Sequence, residues 1–176
     1  IKGLYILGED LAQTDPDTNR VRASLQSLEF MVIQEIFQTE TTRFADVILP
    51  AASFAECDGT FTNGERRIQR VSKAIPALCG RENWQTICAI AQKMGYPMSY
   101  SHPSEIMDEI ASLTPMFAGV SFSRLGSAGL QWPCPAKDHP GTETMHVGKF
   151  SRGLGKFNAV YHQFPTEMPD PQYPMI

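Results

Sequence analysis

Thr39-Glu-Thr-Thr-Arg-Phe-Ala-Asp-Val-Ile-Leu-Pro-Ala-Ala-Ser-Phe-Ala-Glu56 is the stretch that decides how the rest of the chain is read. Its centre, Val47-Ile48-Leu49, is a short apolar, β-branched run, with Asp46 before it and Pro50 after it. Such a run predicts a buried parallel strand rather than a helix. Pro50 cannot donate to a ladder, so it is expected just beyond the last paired residue. Ala51, Ala52 and Ser53 follow, and residues this small let a backbone approach something closely. In open α/β sheets that place, outside the carboxyl ends of the strands, is where ligands sit.

Working outward, residues 3–7 predict a first strand ending at Gly8-Glu9-Asp10, where Gly8 allows a tight turn. After the loop Leu11-Ala-Gln-Thr14, Asp15-Pro16 reads as a helix start, and Val21, Leu25 and Leu28 give that helix one apolar face. Phe30-Met-Val-Ile33 predicts a second strand, with Gln34 and Glu35 at its end. Residues 39–45 read as a short helix or turn, and 46–49 as a third strand. This β-α-β-α-β order implies parallel strands joined by right-handed crossovers. A polar residue ending the second strand of a dinucleotide-binding unit commonly meets a ribose, which makes Gln34 a candidate. No Gly-x-Gly-x-x-Gly is present, so an ordinary NAD site is disfavoured.

Gly59 to Val71 predicts a hairpin turning at Asn63-Gly64 as a two-residue loop. Arg66, Arg67 and Arg70 follow; a solvated or salt-bridged face is the commoner fate of such a cluster, phosphate binding the rarer one. Asn83 is expected to cap a helix through Met94, with Trp84, Ile87, Ala91 and Met94 as its apolar stripe and Gly95 as its stop. A further helix is expected near Pro103, burying Ile106, Met107, Ile110 and Leu113. From Gly126 the periodicity fades, and seven of the 13 prolines fall beyond residue 125. Domain organisation is therefore expected as 1–125, one lobe, and 126–176, an extended linker toward a further domain.

Composition narrows the partners. The 176 residues carry a formal charge of -4 and no basic stripe, which argues against nucleic acid. No run approaches 18 apolar residues, so no membrane span is expected. Cys57, Cys79, Cys88 and Cys134 form no Cys-x-x-Cys pair and read as free thiols in a reducing, cytoplasmic setting. His102, His139, His146 and His162 lack metal-ligand spacing. The opening Ile1-Lys-Gly-Leu-Tyr starts inside a strand, which suggests a piece of a larger polypeptide.

The string Thr39 to Glu56 resembles the signature of the molybdopterin-dinucleotide oxidoreductases: Thr, small residues, Ala-Asp, an apolar run, Leu-Pro, small residues, Glu. Gly8-Glu-Asp-Leu-Ala-Gln-Thr14, Gly59-Thr-Phe-Thr-Asn63 and Lys93-Met-Gly-Tyr-Pro-Met98 extend the likeness. So do Leu130-Gln-Trp-Pro-Cys134 and Asp170-Pro-Gln-Tyr-Pro-Met175, which are similar to the large subunit of formate dehydrogenase. The resemblance implies a three-layer, mostly parallel, Rossmann-like α/β sheet with flanking helices, a β-hairpin insertion and an irregular C-terminal tail. It also implies a lobe holding one of two molybdopterin guanine dinucleotides carrying molybdenum or tungsten. By position, Asp10 and Thr14 would lie on the dinucleotide after strand one, Gln34 after strand two, Ala51 would offer backbone after strand three, and Asn83 would face the guanine.

Relatives usually carry Asp where Asn83 stands; an Asp there is expected to grip guanine better, because a carboxylate is a paired acceptor. No metal-ligating Cys or selenocysteine motif and no iron–sulfur motif lies in these residues, so no catalytic residue is nominated. A 4Fe-4S cluster, the rest of the polypeptide and electron-transfer subunits are expected partners. Nitrate reductase, the large subunit of NADH–quinone oxidoreductase acting as a scaffold, and a generic nucleotide-binding module are the competing readings.

Overall fold

The computed structural model describes residues 1–165 and 168–175. Three strands, β1 (Gly3–Leu7), β2 (Phe30–Glu35) and β3 (Val47–Pro50), form a parallel sheet in the order β1-β2-β3. Their register pairs Ile6 with Ile33 and Ile33 with Ile48. Between β1 and β2 lie the single turn α1 (Leu11–Thr14) and α2 (Thr18–Gln26). These cover one sheet face: Ile6, Met31 and Ile33 pack with Ala12 and Leu25, flanked by Leu4, Val21 and Leu28. Met31 and Ile33 are wholly buried, each contributing about 1.5–3 kcal/mol on transfer from water.

A second, antiparallel sheet joins β4 (Gly59–Thr62), β5 (Arg67–Val71) and β6 (Leu130–Gln131). Behind it Ile68, Met107, Val120, Phe122, Leu125 and Cys134 form a separate core. Met107 comes from α4 (Pro103–Leu113), and Phe122 and Leu125 from the short α5 (Phe122–Leu125). The architecture is thus mixed α/β, a parallel sheet plus a hairpin sheet, as the sequence predicts.

Several details differ. Val47 and Ile48 are exposed, because β3 is an edge strand here rather than a buried one. Pro50 lies inside the ladder opposite Glu35; the next N–H, that of Ala51, donates to the Glu35 carbonyl, so proline's missing donor costs nothing. The Asp15 amide closes α1 onto the Leu11 carbonyl, so Asp15 cannot start α2; Asp17 caps it instead. The hairpin turn spans three residues, not two: Asn63 and Arg67 flank it, and Arg66, not Asn63 or Gly64, takes positive φ.

α3 (Asn83–Lys93) is capped by Glu82, whose side chain and that of Gln85 form a reciprocal capping box; this frees Asn83. The helix stops as predicted, with Gly95 at φ +87° and the Tyr96 amide returning to the Ala91 carbonyl. Its expected stripe is only partly covered: Trp84 and Ala91 are half-buried and Ile87 and Met94 face solvent, while Thr86 and Cys88 are buried. On α4, Met107 is buried but Ile110 and Leu113 are exposed. His102 is half-buried as the N-cap of α4, its ring nitrogen accepting from the Ser104 amide.

The compact unit runs Ile1–Thr142, so residues 126–142 belong to it. Within them Cys134 is fully buried, and the Arg124 guanidinium ties Gly119, Ala136 and His139 through their carbonyls. The second unit, Glu143–Ile176, contains no helix or strand element among its described residues beyond a Phe150–Gly153 bridge, and its side chains are mostly exposed.

Candidate dinucleotide site at the strand ends

Most of the 39–56 stretch is occupied in holding strand ends together. The Thr41 hydroxyl donates to Asp10 Oδ1 at 2.6 Å and accepts from the Ala12 amide at 2.9 Å, while the Thr41 amide also donates to Asp10. Asp46 pairs twice with Met31: its Oδ2 accepts from the Met31 amide at 2.7 Å, and its own amide donates to the Met31 carbonyl. Glu56, buried at 6% exposure, accepts from the Ser53 amide at 2.8 Å and the Leu78 amide at 2.7 Å. Those amides hold its carboxyl below the usual range, Leu78 first.

A continuous polar network crosses the sheet end above β2. Tyr5 donates through its hydroxyl to Gln34 Oε1 at 2.5 Å. Gln34 Nε2 donates to Asn83 Oδ1 at 3.1 Å and, more weakly, to the Pro50 carbonyl at 3.5 Å. Asn83 then mimics a peptide: its Oδ1 accepts from the Ala52 amide at 2.8 Å and its Nδ2 donates to the Ala52 carbonyl at 2.9 Å. Gln34 is 1% exposed, so this satisfaction is obligatory.

The network floors a cavity of about 420 Å³ at the carboxyl ends of the parallel strands. Such a volume lies within the roughly 300–1,000 Å³ of small-molecule sites. Leu7, Ile36, Phe54, Phe61 and Val71 supply apolar walls, and Ala51, Ala52 and Ser53 supply backbone. Gly8 and Gly59 add bare backbone; a Cβ at either would meet nothing within 4 Å, so both open onto free space. Glu35 and Asn83 are its polar side chains from the sheet and α3.

The five sequence-predicted residues thus fall in two places. Ala51 and Asn83 line the cavity, and Gln34 is bonded to Asn83 beneath it. Asp10 is bound to Thr41, which lowers its carboxyl pKa, chiefly through the Thr41 side chain. Thr14 is exposed and donates to Glu9 at 2.6 Å. Neither Asp10 nor Thr14 is among the cavity's lining residues. Asn83 spends both ends of its amide on Ala52; an Asp there would lose the donor to the Ala52 carbonyl, which removes the reason to expect a better grip. Sequence reasoning passed over Glu35, Phe54, Phe61 and Cys57 as cavity residues; Glu35 was legible as the acidic residue closing β2. The arginine cluster is structural at Arg66 and Arg67: Arg66 holds the carbonyls of Trp132 and Thr142, and Arg67 pairs with Glu65 at 2.8 Å. Arg70 lies over the Phe122 ring at 5.2 Å. Among the described residues no group of three His, Cys, Asp or Glu is placed to hold a metal ion.

Residues 1–93 match the family described as Molybdopterin oxidoreductase, which is over half of the chain. The chain belongs to the molybdopterin oxidoreductases. It is 49% identical over 181 residues to the F420-dependent formate dehydrogenase 2 subunit alpha of Methanococcus maripaludis, covering all of this chain and 27% of that protein. It is 44% identical to the F420-dependent formate dehydrogenase subunit alpha of Methanocaldococcus jannaschii, with the same two coverages. The chain therefore spans about a quarter of the length of the curated relatives it matches. Among solved structures, the acetylene hydratase from Pelobacter acetylenicus shares the fold at a TM-score of 0.55 and 16% identity, over 69% of this chain and 17% of that one. Membership carries a molybdopterin cofactor with it. No helix among the described residues is long and apolar enough to cross a membrane.

Proposed function

We propose that this molybdopterin oxidoreductase chain is the cofactor-holding lobe of a formate dehydrogenase alpha subunit, and that the cavity at the strand ends takes the nucleotide of a molybdopterin guanine dinucleotide. The observation that carries this reading is the Gln34–Asn83–Ala52 network flooring a strand-end cavity. The cavity suits a flat ring with polar edges: its walls are largely apolar, its floor is built of small residues, and two carboxylates, Glu35 and Asp58, stand in its lining.

Within this reading Ala51 offers backbone to the nucleotide, Gln34 and Asn83 fix the loop that carries it, and Asp10 and Thr14 hold the turn after β1. When bound in the whole enzyme, the pterin and its molybdenum or tungsten supply two-electron oxidation of formate to carbon dioxide, with electrons leaving through a 4Fe-4S cluster outside these residues. The part of this chain is to bind and orient. Residues beyond 142 lead toward the next domain, electron-transfer subunits accept the electrons, and the metal ligand, Cys or selenocysteine, lies elsewhere in a cytoplasmic polypeptide. The formate reading is favoured over nitrate reductase and the quinone-reductase scaffold by relatives at 49% and 44% identity that are formate dehydrogenases by name.

The test is chemical analysis of the full-length protein. Acid release of guanine nucleotide in stoichiometric amount, together with formate-dependent dye reduction, is the expected result. A protein with no guanine nucleotide, or one that reduces dye with another donor and not formate, would overturn it.

A further inference from the structure

Two loops are tied together beside the strand ends. The Leu78 amide donates to Glu56 Oε1 at 2.7 Å, and the Ala74 and Ile75 amides donate to the Ala55 carbonyl at 2.8 and 3.1 Å. A thiol follows each end of the first bond: Cys57 comes after Glu56, and Cys79 after Leu78. Both are free and half-buried, whereas Cys88 and Cys134 are buried. The two thiols also converge on one short stretch, residues 81–83. Cys79 Sγ donates to the Arg81 carbonyl at 3.1 Å, and Cys57 lines the strand-end cavity together with Asn83. Burial, the largest influence on the Cys57 thiol, raises its pKa, and the Asn83 amide, the next, lowers it; the Cys79 thiol is also near enough to act on it. Each thiol has its own opening. Cys57 faces the strand-end cavity, and Cys79 lines a cleft of about 260 Å³ with Leu49, Pro50, Arg81 and Thr86.

We propose that Cys57 and Cys79 form a reversible disulfide, a redox site that staples the cavity wall to the loop leading into α3. The oxidant is a small-molecule disulfide such as oxidised glutathione. The Cys79 thiolate, reached through its own cleft, attacks one sulfur of the oxidant; that S–S bond breaks, one glutathione thiolate leaves and a mixed disulfide remains. The Cys57 thiolate then attacks Cys79 Sγ, and the second glutathione leaves. Two protein thiols are oxidised, one glutathione disulfide is reduced, and the two protons pass to the leaving thiolates. Cys79 gives up its bond to the Arg81 carbonyl. A disulfide needs its two Cα atoms within about 7 Å, and the tie between Glu56 and Leu78 already holds the two loops side by side. The inference is independent of the nucleotide reading, since it needs only these two loops.

Full-length protein is incubated anaerobically with oxidised glutathione, its remaining thiols are blocked with iodoacetamide, and its peptides are mapped by mass spectrometry without reduction. The expected result is a Cys57–Cys79 linked peptide in most of the protein, lost on treatment with dithiothreitol, with Cys88 and Cys134 still thiols. Cys57→Ser, which lacks the resolving thiol, should hold one glutathione on Cys79 instead. Glutathione retained on Cys57 or Cys79 of the wild type with no bridge between them overturns the proposal. So does a wild type in which both remain thiols after the treatment, or a bridge from either residue to another cysteine. A Cys57→Ser protein that takes up no glutathione at Cys79 overturns it as well.

Discussion

The side-chain amides of Gln34 and Asn83 meet at 3.1 Å, joining the end of β2 to the first turn of α3 across 49 residues of sequence. The contact makes Asn83 a substitute peptide for Ala52, and so fixes where the backbone after β3 runs.

Asn83→Ala in the full-length protein is expected to speed hydrogen exchange at the Ala52 amide by about tenfold or more. Each bond of this kind is worth about 0.5–1.5 kcal/mol net, and leaving buried Gln34 Nε2 with only its weak 3.5 Å contact to the Pro50 carbonyl adds to the loss. Asn83→Asp should lie between alanine and wild type, since it restores the acceptor and not the donor. Unchanged exchange at Ala52 in the alanine variant would show that the pairing does not hold the loop.

The acid sensitivity of the first turn follows from Asp10 and Thr41. Asp10 has a folded pKa below its unfolded one, so its contribution is present above the ordinary Asp range and is lost as pH falls through the folded value. Thr41→Val removes the hydroxyl that is the largest single cause of this lowering and leaves the Ala12 amide without its acceptor. The variant should be less stable at neutral pH. Its stability should also fall less between neutrality and about pH 3 than that of wild type. Parallel losses in both proteins, followed by thermal melting across that range, would remove Asp10 from the account.

Gly119 marks where the hairpin lobe has no room. A Cβ there would lie 2.0 Å from the Ala136 carbonyl oxygen and 2.8 Å from Cys134 Sγ. Gly119→Ala must therefore displace backbone, and a loss of about 4 kcal/mol or more is expected, at the severe end for one substitution. Limited proteolysis should open the 119–139 region first. Wild-type resistance would contradict the packing described.

The sequence showed the strands through their short apolar runs, and α3's end through Gly95. It did not show which of two rivals wins locally. Asp15 and Asp17 are both good caps, and only the closure of α1 onto Leu11 decides between them. Asn63-Gly64 is a strong turn signal, yet the lobe uses Arg66 in the left-handed region, where its guanidinium reaches the Trp132 and Thr142 carbonyls. At the site, residue type placed polar groups correctly at the strand ends but not their partners. Gln34 faces inward to Tyr5 and Asn83, and the neighbouring Glu35 lines the cavity. One residue of register separates those two fates, and pattern alone does not resolve it.

The central claim, that the cavity beyond β3 seats the nucleotide, is tested most directly at Cys57, a half-buried thiol in its lining. Burial raises its pKa, so alkylation is slow at neutrality and should be run at about pH 9, where more thiolate forms. Full-length protein, loaded or stripped of cofactor, is treated with iodoacetamide and Cys57 is followed by peptide mass spectrometry. Strong protection of Cys57 in the loaded protein, with Cys79 reacting alike in both, is the predicted result. Equal modification of Cys57 in both forms would place the nucleotide elsewhere.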